Sequence, residues 1–264
     1  MCSEPSLLAW AKNGGAKLTP EACGHAAAGG HLATLQWAAE QGVVHGFHTC
    51  RGAAIGGHLH VLQWILGQTG GRHWQARLGR LAARGGHIPL LQWVIDTRGV
   101  SAIDKSLCVG AAEGGQMAVL RWAKERNLPW RPPTLEAAAR RGDLPMVQWL
   151  REAGCPWNEK VCAAAASGGH MQVCMWVHSC PWNEKVCAAA ASGGHMQIVR
   201  WLHDNSCPWS GRACAAAAGA GRLDILQYLR SNGCLWKNKT CTAATRNGHL
   251  HVLCWALLNG CPWD

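Results

Sequence analysis

Cysteine and histidine are the side chains in this sequence whose chemistry is most conspicuous. The chain has 264 residues, of which 15 are Cys and 14 are His. Thiolate and imidazole groups are the ligands that zinc prefers, so this content raises a metal or redox hypothesis. Many of the cysteines recur in two columns, Cys162, Cys187, Cys214 and Cys241 in one and Cys155, Cys180, Cys207, Cys234 and Cys261 in the other. The cysteine count is odd and no CxxC occurs, which weakens both the zinc-ribbon and the disulfide-scaffold interpretations.

The spacing of the cysteine columns favours packing over chemistry. Neighbouring helices in a stack lie about 8–10 Å apart, whereas a disulfide needs Cα atoms within about 7 Å. Members of one column therefore cannot readily bridge or share one tetrahedral ion. We predict that the cysteines serve as small buried apolar groups, with no metal and no cofactor, and that a thiol-rich metal binder is the weaker alternative.

The one local cluster of charge in the sequence consists of arginines. The formal net charge is +10, and Arg72, Arg77, Arg80 and Arg84 follow one another with no acidic residue between them. The last three can share one face of a helix, because they are spaced i, i+3 and i+7. We predict these four as binding residues, together with Arg140 and Arg141. An ordinary solvated helix face is the other interpretation of this pattern.

Tryptophan could act by stacking on bases, as it does in single-strand nucleic-acid binders. The chain has 16 Trp but only 1 Tyr and 1 Phe. One set of tryptophans follows "LQ" or a variant of it, and we predict that this set packs in the core. The second set follows Pro or Leu, and we predict that it packs between neighbouring repeats. The second set is Trp130, Trp157, Trp182, Trp209, Trp236 and Trp263.

Catalysis has no sequence signature here. The chain has no GxxxxGK[ST], no GxGxxG, no GxSxG and no HExxH, the motifs that position phosphates, dinucleotides, a nucleophilic serine or zinc. The 15 acidic residues form no recurring pair suited to acid–base work. We therefore predict that the protein is not an enzyme.

These residues are placed by an internal repeat. Ten aromatic residues from Trp10 to Trp255 recur at intervals of 25 to 29 residues, and six residues before nine of them a polar residue follows a glycine. A window of 18 residues occurs twice without change, at 155–172 and 180–197. Such self-similarity indicates a repeat architecture. The nine polar residues define a turn position: His31, His58, His87, Gln116, Asp143, His170, His195, Arg222 and His249.

Each repeat is predicted to be a pair of helices. Residues 184–191 are rich in alanine, the strongest helix former, with Asn183 as N-cap. The glycines that follow are the signal for a helix C-terminus and a tight turn. Pro89 and Pro145 fit the first turn of the second helix, with Asp143 as its N-cap. A Cys-Pro-Trp connector then leads to the next pair.

At these residues the chain resembles the ankyrin repeat family. Cys23–Ala27, Gly30-His31 and Leu32–Trp37 correspond to that family's first helix, Gly-His turn and second helix, and the resemblance extends over residues 5 to 264. It implies an all-α, ankyrin-like solenoid of stacked helix-turn-helix repeats, in which first helices line the concave side. The Thr-Pro-Leu-His opening is missing, and the unit is about six residues short of the family's 33, which predicts short connectors and reduced β-hairpins.

The whole chain, residues 1–264, is predicted to be one repeat array of about nine helix pairs with an N-terminal half repeat. The apolar last helix, residues 250–258, is expected to leave one flank uncovered, so that it self-associates or belongs to a longer array. The start of the chain lacks the basic and apolar regions of a secretory signal, and no apolar run of 18 residues is present. Hydrophobic residues make up 48% and charged residues 15%, which excludes disorder. A cytoplasmic or nuclear location follows as an expectation.

The resemblance implies a non-enzymatic scaffold that binds another protein on its concave helical surface. The alternative is a basic solenoid that binds nucleic acid or another polyanion, since the net charge favours acidic partners. The identity of the partner is not encoded in the repeat pattern, because repeat folds present many ligands on their variable surface positions.

Overall fold

Pairs of short helices joined by glycine turns make up the protein. The computed structural model describes residues 19–43, 45–70, 77–99, 105–177 and 182–263. These residues form eighteen helices, arranged as nine pairs, and no strand occurs among them. The predicted all-α class is therefore confirmed, while the predicted N-terminal half repeat lies outside the described residues.

The first compact unit, Met1–Arg131, contains four of the described pairs. Its helices are α1 (Pro20–Ala28), α2 (Leu32–Glu40), α3 (Phe47–Gly56), α4 (Leu59–Thr69), α5 (Arg77–Gly85), α6 (Ile88–Arg98), α7 (Leu107–Gly114) and α8 (Met117–Glu125).

The second compact unit, Pro132–Asp264, contains five pairs. Its helices are α9 (Pro132–Arg141), α10 (Leu144–Glu152), α11 (Lys160–Gly168), α12 (Met171–Trp176), α13 (Glu184–Gly193), α14 (Met196–Asp204), α15 (Gly211–Gly219), α16 (Leu223–Ser231), α17 (Lys239–Arg246) and α18 (Leu250–Leu258).

Within each unit the first helix of a pair packs against the first helix of the next pair and against its own second helix. This sequential packing is that of a helical repeat stack. The first helices approach closely because the residues between them are small. Ala53, Ala54, Ala82 and Ala83 are fully buried, and a Cβ atom added to Gly52 would lie 2.0 Å from the main-chain oxygen of Gly24.

The glycine turn and its polar residue link consecutive repeats. Gly57 has φ +75°, a left-handed conformation that glycine adopts without steric cost. Its missing side chain also leaves room for the imidazole of His87, which would lie 2.2 Å from an added Cβ. The last four carbonyl groups of a helix have no partner inside the helix. The ring of His87 donates to one of these, the carbonyl of Ile55, at 2.8 Å.

The same link recurs at other turn positions. His58 donates to the carbonyl of Ala28 at 3.1 Å, and the side-chain amide of Gln116 donates to that of Arg84 at 3.3 Å. In the second unit, His170 and His195 bond the carbonyls of Arg140 and Ser167 at 2.9 and 3.0 Å. These four turn histidines therefore donate to main-chain carbonyls of the preceding first helix.

The predicted helix signals are present at the residues named for them. Asn183 accepts a hydrogen bond from the amide of Lys185 at 2.9 Å and caps α13. Asp143 accepts from the amide of Met146 at 3.1 Å and caps α10. Pro89 and Pro145 lie in the first turns of α6 and α10, where a missing N–H removes no hydrogen bond.

The tryptophans of the second helices do not form the core, and that prediction is wrong for all but one of those described. Trp122 is buried, whereas the others are only partly buried: Trp37, Trp64, Trp93, Trp149, Trp176, Trp201 and Trp255. Aliphatic side chains on the same helices, such as Leu62, Leu91 and Leu120, fill the core instead.

Two of the connector tryptophans contact side chains of neighbouring repeats, as predicted for this set, whereas Trp263 is 50% exposed. Trp209 stacks on His203 of α14 with ring centres 4.0 Å apart, and it contacts Tyr228 of α16 edge-on. Trp236 lies under the guanidinium of Arg230 at 4.1 Å and contacts Trp255 edge-on.

None of the helices in the described ranges is long and apolar enough to cross a membrane. The final helix, α18, exposes Leu250 to 66% and Leu258 to 87%, so its predicted uncovered apolar flank is present. Self-association through this flank stays a prediction.

Candidate binding site

A basic cleft lies on the first helices of the first unit. Its volume is about 480 Å³, and the helices that line it are α3, α5 and α7. We call it the arginine cleft, and its residues are Phe47, Arg51, Arg77, Arg80, Leu81, Arg84 and Glu113. The structure therefore brings together four guanidinium groups with one carboxylate and two apolar side chains.

Two of the four guanidiniums are held in place by neighbours. The guanidinium of Arg77 lies over the ring of Phe47, with its carbon 4.5 Å from the ring centre. This is a cation–π contact, which attracts the cation to the negative face of the ring. Arg80 donates to the carboxylate of Glu113 in an ion pair that joins α5 to α7. These contacts reduce the side-chain freedom that binding would otherwise remove.

The other two guanidiniums are exposed to solvent. Arg51 lies on α3 and Arg84 near the end of α5. Neither forms an ion pair with a carboxylate in the parts of the chain that the structure describes. Like charges held on one face repel one another, so an anion that enters the cleft relieves this repulsion.

The predicted arginines divide into three groups. Arg77, Arg80 and Arg84 lie together on α5 and line the cleft, as their spacing predicts. Arg72 lies outside the described residues. Arg140 and Arg141 are exposed at the C-terminal end of α9 in the second unit, where the carbonyl of Arg140 accepts the hydrogen bond from His170.

Sequence reasoning missed Arg51, Phe47 and Glu113. The signal for Arg51 is its register, since it stands seven residues before the turn position of its repeat, as Arg80 does in the next. Neighbouring first helices place residues of equal register side by side. An alignment of the repeats on the turn position therefore predicts that Arg51 and Arg80 are neighbours.

The cysteines are buried thiols rather than a reactive cluster. Thirteen lie in the described parts of the chain, none of these forms a disulfide, and all but Cys254 are buried. Burial raises the pKa of Cys50 and Cys108 to about 11 and that of Cys174 and Cys187 to about 12, because it disfavours the thiolate. Within these parts no three His, Cys, Asp or Glu side chains come together in a way that could hold a metal ion.

The two cysteine columns nevertheless meet, which the column-by-column reasoning overlooked. The sulfur of Cys214 on α15 lies 3.4 Å from that of Cys234 in the next connector, and its thiol donates to it. This hydrogen bond raises the pKa of Cys214 and lowers that of Cys234. Both side chains are almost completely buried, at 0% and 1% exposure.

A comparison of the chain with protein-family models gives no match, and a comparison with curated proteins gives no significant match.

Proposed function

We propose that this protein is an ankyrin-like, non-enzymatic interaction module that binds another protein along the exposed face of its first helices. The proposal rests on a contrast between two register positions. Four and five residues before the turn position, alanine recurs in nearly every repeat and is buried, as at Ala82 and Ala83. One residue further on, the side chain is exposed or half-buried and differs between neighbouring repeats of the first unit, with Ile55, Arg84 and Glu113 in succession.

This contrast is typical of repeat proteins that recognise partners. Buried positions are kept alike because every repeat must stack in the same way. Exposed positions on the same helices are free to differ, and together they form a surface whose chemistry is specific to one partner. In the family that the sequence resembles, first helices line the concave side, which is where we place the partner.

Site-specific photo-crosslinking tests this proposal. A photoreactive phenylalanine analogue replaces Ile55 on α3 or Ser192 on α13, two exposed positions outside the arginine cleft. Gln63 on α4 and Gln197 on α14 serve as matched controls, since they are exposed on second helices of the same units. The chain is irradiated in lysate of the cells that express it.

The expected result is an adduct at the two first-helix positions that protease removes and nuclease leaves unchanged. The control positions should give much less adduct. Adducts of equal yield on the second helices, or none at positions 55 and 192, would overturn the proposal.

A second candidate function is the binding of nucleic acid or another polyanion, and the arginine cleft is the observation that favours it. Phosphate contacts release counterions, so such binding weakens steeply with salt. Retention on heparin should then be strong at low salt and lost in the double variant Arg77→Glu/Arg80→Glu. The double variant Arg121→Glu/Arg126→Glu changes the net charge equally on α8 and just beyond its end, and it should stay bound.

A further inference from the structure

We propose that the arginine cleft is a site for an aryl phosphate, the side chain of a phosphorylated tyrosine in the partner protein. This inference rests on the proposed function, because it names the chemistry by which the first helices of the first unit would recognise a partner. It goes beyond that function in assigning one ligand group to one set of residues.

The charge in the cleft fits a compact dianion. Four guanidiniums converge on one space against the single carboxylate of Glu113. A phosphate monoester carries a charge of about −1.5 to −2 at neutral pH and three acceptor oxygens. Arginine is well suited to such a group, since its planar fork donates two parallel hydrogen bonds. Arg51 and Arg84 have these donors available, and Arg77 and Arg80 are already oriented.

The distribution of charge along the stack argues against an extended polyanion. Basic residues of the cleft are confined to two consecutive first helices, α3 and α5. Glu21 on α1 stands ten residues before its turn position, as Arg77 does on α5. Glu113 on α7 stands three residues before its turn position, as Arg84 does on α5. A nucleic-acid backbone needs cations repeated along its path, whereas here acidic residues bound the basic region on both sides.

The apolar lining accounts for the aryl part of the ligand. Phe47 and Leu81 are half-buried and line the cleft together with the arginines. Its volume of about 480 Å³ exceeds the space that a phosphate group alone would fill and is within the usual range for small-ligand sites. A ring attached to the phosphate would bury apolar surface against these two side chains, which inorganic phosphate cannot do.

Isothermal titration calorimetry of the full chain tests the proposal, with phenyl phosphate, inorganic phosphate and O-phosphoserine as probes. We expect one phenyl phosphate per chain, bound at least about fivefold more tightly than either of the other two, since a buried ring adds a hydrophobic contribution. Arg51→Ala and Arg84→Ala should each weaken it about tenfold or more, as expected when a charged hydrogen bond is lost. Arg121→Ala, an equal loss of charge at an exposed position of α8, should leave the affinity unchanged.

Several outcomes overturn the proposal. Absence of phenyl phosphate binding does so, as does equal binding of all three probes or an equal loss of affinity in Arg121→Ala. A DNA oligonucleotide that binds through Arg51 and Arg84 and excludes phenyl phosphate would assign the cleft to nucleic acid instead.

The calorimetry and the crosslinking at positions 55 and 192 test the two proposals separately. If phenyl phosphate fails to bind while those positions still yield a protein adduct, only the aryl phosphate site is wrong. If phenyl phosphate binds while no protein adduct forms, the protein-binding function is wrong, and with it the assignment of the ligand to a partner's tyrosine.

Discussion

The Nε2 atom of His87 lies 2.8 Å from the main-chain oxygen of Ile55, so the turn of one repeat donates to the end of the preceding first helix. Removing the ring leaves that carbonyl without its protein donor. We expect His87→Ala to lower the free energy of unfolding by about 1 kcal/mol, the usual net contribution of a hydrogen bond. Urea unfolding followed by tryptophan fluorescence measures this change.

Glutamine provides the matched variant for this position. Gln116 makes the same contact one repeat later, to the carbonyl of Arg84. His87→Gln should therefore recover most of the stability that His87→Ala loses. If alanine and glutamine destabilise the protein equally, the hydrogen bond does not contribute and the ring acts only by packing.

Gly52 of α3 gives the second prediction, which concerns how closely the first helices approach. A Cβ atom at this position would lie 2.0 Å from the main-chain oxygen of Gly24, so Gly52→Ala must push α1 and α3 apart. Overpacking of this kind costs typically about 1–3 kcal/mol. The melting temperature should fall accordingly.

Gly67→Ala is the control, because that glycine lies inside α4 with nothing within 4 Å of its added Cβ. Alanine favours a helix over glycine by about 1 kcal/mol, so this variant should be neutral or more stable. A Gly52→Ala protein as stable as the parent would contradict the close approach.

The period and the glycine signals were sufficient to predict the helix pairs, because each repeat presents the same local pattern many times. Side-chain positions between repeats were harder to predict. The Gly-Gly before His87 predicts a turn from the local sequence alone. The need for glycine at position 85 comes instead from packing against the ring of His87. A Cβ there would lie 2.2 Å from the ring of His87.

In the arginine cleft, too, some residues could be predicted from one helix alone, whereas others are placed by the packing of neighbouring helices. The spacing of Arg77, Arg80 and Arg84 predicts a common helix face, since that face depends on one helix only. Arg51 and Glu113 join them because first helices stack in register, which no single-helix pattern includes. The meeting of Cys214 with Cys234 depends on the path of the connector, and it was missed for the same reason.

The third prediction concerns His45, which is buried in the loop before α3. Its Nε2 atom donates to the carbonyl of Leu35 at 2.8 Å, and its ring contacts that of Trp64 edge-on. Burial lowers the pKa of His45 below its ordinary value of 6.5, because the charged form is poorly solvated there. NMR titration of this ring should give a midpoint below that value.

The lowered pKa of His45 makes the free energy of unfolding depend on pH, because the folded and unfolded chains bind the proton at different pH values. The unfolded chain takes up the proton first as the pH falls. The contribution of His45 is therefore fully present above about pH 6.5 and decreases on acidification towards the lower folded pKa. His45→Gln keeps a donor for Leu35 and should flatten this part of the profile. The other histidines are present in both proteins, so an unchanged profile would contradict the assignment.

The fourth prediction distinguishes exposed from buried thiols. Cys254 is exposed on α18, whereas burial raises the pKa of Cys187 to about 12. Because only the thiolate reacts, a short pulse of N-ethylmaleimide at pH 7 should label Cys254 well before Cys187, as read by peptide mapping. In 8 M urea the two should label at similar rates, and equal labelling of the folded protein would contradict the burial of Cys187.

The last prediction concerns the contact between Cys214 and Cys234, whose sulfur atoms lie 3.4 Å apart. The two sulfur atoms must approach by only about 1.4 Å more to reach the disulfide bond length of about 2.0 Å. We expect diamide to oxidise this pair in the variant Cys254→Ser, more slowly than it oxidises exposed thiols because both groups are buried. The two thiols give up two protons and two electrons, and the N=N bond of diamide is reduced to the hydrazine. Peptide mapping should show the 214–234 link, and Cys214→Ser should abolish it. In the Cys254→Ser variant, links from Cys234 to a cysteine other than Cys214 would contradict this contact.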